Sequence, residues 1–114
     1  MPCTDPRDVT RLGEAFDLTT TDIRQWELEL IWKAEERGHL WISGHAQRAA
    51  RDESIPIPVI HHVVRSGTPR SKDVTAAEGR RPGINFEGKQ RAGRWIRTKV
   101  SWDDRYLVAT VHTL

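Results

Sequence analysis

The sequence predicts an α+β fold, with two to three N-terminal helices packed on one face of a roughly four-stranded antiparallel sheet. Up to residue 67 the apolar residues recur at helical spacing, whereas from residue 68 glycine, proline and β-branched residues take over with period-two alternation. Helices first and strands second is the α+β order. The 114 residues are 37% hydrophobic and 30% charged, with no internal repeat and no long linker, which fits one domain over 1–114 around one core.

Residues 1–18 contain Pro2, Pro6 and Gly13 without sustained periodicity and read as irregular or weakly helical. Thr19, Thr20 and Thr21 then offer N-cap hydroxyls, with Asp22 in the first turn, for a helix running to Gly38. Ile23, Trp26, Leu30 and Ala34 form its buried stripe, and Glu27, Glu29, Glu35 and Glu36 its acidic outer face. "HLWISGH" reads as a short extended stretch or joint. Ser43 is placed to cap a second helix, Gly44 to Glu53, where Ala46, Ala49 and Ala50 allow close packing and Arg48 and Arg51 project. In the third helix Pro56 and Pro58 fit only a first turn, Ile60, Val63 and Val64 bury one stripe, and Gly67 stops it. His61 and His62 point about 100° apart on that helix and cannot act as an i, i+4 metal pair.

Among the strands, "GINFEGKQRAG" places Ile84 and Phe86 inward, with Lys89 and Arg91 near its end, after a loop carrying Arg80 and Arg81. The best-defined unit is a hairpin turning at Asp103 and Asp104. A two-residue turn pairs Trp102 with Arg105, Val100 with Leu107, Thr98 with Ala109 and Ile96 with Val111 on the core side. The outer face then pairs Trp95 with His112, Arg97 with Thr110, Lys99 with Val108 and Ser101 with Tyr106. A four-residue loop keeps these faces, whereas a three-residue loop changes them. Trp41 and Trp102 read as core or core-edge residues.

Composition narrows the function. Cys3 is the only cysteine, which excludes a disulfide framework and a thiolate zinc site within the chain. No run approaches 18 apolar residues and the N-terminus does not resemble a signal peptide, so a soluble, cytoplasmic protein without membrane contact is expected. A nucleophilic triad and a Gly-rich phosphate loop are absent. Charge is uneven. Residues 1–40 hold five Lys/Arg against nine Asp/Glu, a balance of −4, while residues 65–99 hold ten against three, a balance of +7. The cationic half is the candidate polyanion site.

The stretch "ISGHAQRAARDESIPIPVIHHVVRSG", followed by strands ending "LVATVHTL", resembles a small bacterial domain family of unknown function. His45 and Ala46 match its helix-opening pair, Ile55, Ile60, Val63, Val64 and Gly67 its second segment, and Thr110 and Val111 its terminal strand. That family is grouped with the barnase, EndoU, colicin and RelE superfamily of metal-independent ribonucleases, many of them toxins with an antitoxin or immunity protein. The resemblance covers residues 42–114 and leaves 1–38 as an extension with one helix. It implies a RelE/barnase-like fold, RNA as partner, and no metal or cofactor. The family's arginine four residues after the helix histidine is replaced by Ala49, flanked by Arg48 and Arg51, and its terminal aromatic by His112.

Metal-free RNA cleavage needs a base for the 2′-hydroxyl, an acid for the leaving 5′ oxygen and fixed cations around the phosphorane. Histidine suits either proton role and arginine the donor role. The candidate catalytic residues are therefore His45, His112, Arg97, Lys99 and Arg48. Trp95 and Tyr106 are candidate base platforms, and Arg80, Arg81, Lys89, Arg91 and Thr110 candidate nucleic-acid contacts. Two other readings compete: a non-catalytic binding module of the same fold, and a homodimer or partner contact through the Trp-bearing N-terminal helix.

Overall fold

A computed structural model describes residues 11–75, 80–91 and 93–114, so Cys3 lies outside the described residues, as do residues 1–10 of the stretch 1–18 expected to be irregular or weakly helical. The chain is α+β. In order it forms α1 (Leu12–Ala15), α2 (Gln25–Glu36), β1 (Trp41–Ile42), α3 (Gly44–Asp52), α4 (Ile57–Ser66), β2 (Thr68–Asp73), β3 (Gly83–Lys89), β4 (Trp95–Trp102) and β5 (Tyr106–Thr113). The sheet has five strands ordered β1-β5-β4-β3-β2 and is mixed, because β1 runs parallel to β5 while the other pairs are antiparallel. The expected four-stranded antiparallel sheet gains this extra strand from "HLWISGH". Two residues are too few for a period to show, and only pairing with β5 makes them a strand.

The three longer helices follow their local signals with one shift. Ser43 caps α3, its Oγ accepting from the Ala46 N–H at 3.0 Å. Pro56 and Pro58 sit at the start of α4, and Ile60, Val63 and Val64 are its buried stripe. Gly67 ends α4 where a Cβ would lie 2.3 Å from the Val63 carbonyl oxygen and 2.7 Å from that of Glu87, so only glycine lets β3 pass this closely. The shift is in α2, which starts at Gln25 rather than at the threonines. Glu27 takes the Arg24 N–H at 2.6 Å, while Thr20 accepts from the Asp22 N–H in the preceding loop.

The core gathers α2, α3 and α4 against one face of the sheet through Leu28, Ile31, Ala50, Ile60, Val64, Ile84, Phe86, Ile96, Val100, Val108 and Val111. The loop after α1 closes one end, where Phe16 and Trp102 both pack edge-on against Tyr106. Of the expected stripe, Leu30 and Ala34 on α2 are buried and Ile23 packs against the core, but Trp26 leaves the stripe. Trp26 is 39% exposed, whereas Trp32 is half-buried and donates its indole N–H to the Val64 carbonyl at 2.9 Å.

Glu27, expected on the acidic outer face, is instead fully buried, and so is its partner Lys72 on β2, with Nζ 3.0 Å from Oε1. Glu35 also leaves that face, its carboxylate 2.6 Å from His61 Nδ1 and 3.7 Å from Arg65, so α2 is tied to α4 by charge as well as packing. Glu29 and Glu36 are the two exposed glutamates of the expected face. Among the described residues no helix is long and apolar enough to cross a membrane.

Candidate nucleic-acid interface

The face of the sheet opposite the core is polar and charged, and alternation explains why. On β4 the residues Ile96, Thr98 and Val100 point into the core, so Arg97 and Lys99 point the other way. On β3 Ile84 and Phe86 point inward and leave Asn85 and Glu87 outward. On β2 the inward residue is Lys72, flanked by Ser71 and Asp73 on the open face.

The β4–β5 hairpin departs from the expected register. Its loop has three residues, Asp103 to Arg105, pairing Trp102 with Tyr106, and Asp104 adopts a left-handed conformation with φ 61°. Tyr106 and Val108 therefore point into the core. Tyr106 is 1% exposed, its hydroxyl donating to the Ala15 carbonyl at 2.8 Å, and burial pushes its pKa far above the usual phenol value. It is no base platform. Beyond Val108 a β-bulge at Ala109 inserts one extra residue, between the pairs Val100–Val108 and Lys99–Thr110. The odd loop and the bulge cancel, so Thr110 and His112 return to the open face and Val111 to the core. The partners shift: His112 lies opposite Arg97 and Thr110 opposite Lys99.

An open trough of about 680 Å³ lies over this face. His45 enters it from the first turn of α3 and His112 from β5, with Arg97 and Lys99 on its β4 side and Arg80 and Arg81 on the loop before β3. Thr110 also lines it. Seven of the predicted site residues thus share one surface although they come from four separate segments. Arg48 does not line the trough; it is exposed on α3 with a guanidinium nitrogen over Gly44. Lys89, Arg91 and Trp95, all exposed, gather at the β3–β4 turn beyond Arg97.

The two β4 cations are not free. Arg97 grips Glu87 with Nε at 3.0 Å and a terminal nitrogen at 2.5 Å, and Arg70 approaches the same carboxylate at 3.4 Å. Lys99 lies 2.9 Å from Asp73. Burial alone would raise the Asp73 carboxyl, but hydrogen bonding and attraction from Lys99, with help from Asn85 and Arg80, outweigh it and hold the group below the usual carboxylate range. Arg81 reaches Asp103 at 3.3 Å across exposed surface. The trough lining holds four Arg/Lys against one carboxylate, Asp73, a balance of +3, which falls to +1 once Glu87 behind Arg97 and Asp103 beside Arg81 are counted. That surplus favours an anionic occupant, and the fixed pairs hold the cations at set positions before one arrives.

Residues that sequence reasoning missed are Asp73, Asn85 and Ser71, which also line the trough. Asn85 donates to Ser71 Oγ at 3.0 Å and lies 3.4 Å from Asp73. Their signal was present, since Asn85 and Glu87 alternate with the inward Ile84 and Phe86, but nothing in one strand says which neighbour it faces. No protein-family model, curated protein or solved structure matches the chain.

Proposed function

We propose that the open sheet face binds single-stranded RNA and cleaves it without a metal ion, as in the RelE/barnase-like ribonucleases that residues 42–114 resemble. The observation that carries this reading is that two histidines, His45 and His112, line one trough together with Arg97, Lys99, Arg80 and Arg81. One imidazole takes the proton of a 2′-hydroxyl as that oxygen attacks phosphorus. The bond from phosphorus to the 5′ oxygen breaks, and the other imidazole, protonated, gives its proton to the leaving oxygen. The products are a 2′,3′-cyclic phosphate and a 5′-hydroxyl. Arg97 and Lys99 stabilise the charge that builds on the phosphorane, while Arg80 and Arg81 hold the flanking phosphates. On this reading the substrate is cytoplasmic RNA, and an acidic antitoxin or immunity protein would act by covering the same cations.

The purified protein in EDTA should cut single-stranded RNA to cyclic-phosphate ends. Inertness toward varied RNAs, ribosome-bound mRNA included, would overturn catalysis. A second reading, a binding module without catalysis, draws on the Arg97–Glu87 and Lys99–Asp73 pairs, which give these cations a structural role in the sheet. It predicts RNA affinity that falls linearly in log salt, with a shallower slope when Arg97 and Lys99 are replaced, and no cleavage.

A further inference from the structure

The sequence reads Trp41 as a core or core-edge residue, yet it is 59% exposed, the most open tryptophan among the described residues. Its position follows from the parallel pairing of β1 with β5. Trp41 lies opposite Leu107 and Ile42 opposite Val108. Val108 is in the core and Ile42 packs against it, so Trp41 and Leu107 stand on the other face, the one that carries the trough. Arg105, two residues before Leu107 on the same side, lays its guanidinium over the indole, Cζ 4.1 Å from the ring centroid. A second hollow lies against Trp41, Arg105 and Leu107, and it adjoins the trough through the shared residues Ser43 and Leu107. Ser101 is the β4 residue level with Trp41 and Lys99 lies two residues along from it, so two strand spacings and two residue rises put Lys99 about 12 Å from Trp41 along the sheet.

We infer that Trp41, backed by Arg105, is a base-stacking platform for a single-stranded nucleic acid whose phosphates lie in the adjoining trough. This rests on the RNA-binding reading above and adds to it a site for an unpaired base. Several features fit that occupant. An indole stacks on any nucleobase, and a single strand, unlike a duplex, presents its base faces. The guanidinium already seated on the indole gives the platform positive charge. The adjoining trough supplies the cationic surplus for the backbone. Asp103 and Asp104 border the hollow at the turn, which directs the phosphates toward the trough and away from the hairpin tip.

The test uses the full chain and fluorescence anisotropy with a labelled 2′-O-methyl oligoadenylate, which lacks the attacking hydroxyl, beside an abasic oligomer of the same backbone. Trp41→Ala should weaken oligoadenylate binding on the order of tenfold. Trp41→Phe should keep most of the affinity, and the abasic oligomer should bind all three proteins alike. Oligoadenylate affinity unchanged by Trp41→Ala but lowered by Arg97→Gln would overturn the platform and leave the RNA-binding face standing. Equal losses for both oligomers would overturn stacking in favour of a charge effect. An altered sedimentation mass with unchanged RNA affinity would assign Trp41 to a contact between copies of the chain, again overturning the platform. Wild-type protein without affinity for either oligomer at low salt would remove both the platform and the function on which it rests.

Discussion

Replacing Lys72 with methionine should lower stability by about 3–5 kcal/mol, because it leaves the Glu27 carboxylate buried without its counter-charge. Lys72 Nζ bonds both Glu27 oxygens, at 3.0 and 3.1 Å, and the Asp17 carbonyl at 2.9 Å. Glu27 also receives the N–H groups of Arg24 and Asp17, at 2.6 and 2.8 Å. One buried pair thus fastens β2, the loop after α1 and the start of α2 together. Urea unfolding of wild type, Lys72→Met, Glu27→Gln and the double variant measures it. The double variant should recover part of the loss, since no lone charge is left inside. A Lys72→Met midpoint equal to wild type would contradict the structural role. The consequence reaches the site, because Ser71 and Asp73 flank Lys72 and line the trough.

His45→Ala and His112→Ala should each reduce RNA cleavage by about 10²–10⁴-fold, the usual worth of a positioned general acid or base. Both side chains are exposed, so thermal unfolding should barely change and RNA affinity should fall little. The double variant should lose little more than the worse single one, since two groups serving one step are not additive. Full activity in either variant would remove that residue from the mechanism.

The hairpin shows which parts of this site could be read in the sequence. Alternation in "RWIRTKV" was enough to put Arg97 and Lys99 on the outer face, because Ile96 and Val100 had to be inside. The face of β5 depended on loop length, which Asp103 and Asp104 do not state. The three-residue loop turned Tyr106 and Val108 inward, and the bulge at Ala109 returned Thr110 and His112 to the outer face. Local patterning therefore put His112 on the outer face but opposite the wrong partner.

The remaining differences are long-range. Glu27 reads as a solvated helix glutamate until Lys72, 45 residues on, is brought beneath it. Trp41 reads as a core or core-edge residue until β1 pairs in parallel with β5. No helical or strand period contains either contact.

The most direct test of the open face as a phosphodiester site is the imidazole NMR spectrum on addition of a 2′-O-methyl single-stranded oligonucleotide. The chain has five histidines, and two of them, His45 and His112, line the trough. Their resonances should shift together and saturably, while those of His39, His61 and His62 stay in place. Shifts confined to His61 and His62, or none at all at low salt, would contradict the assignment of the site.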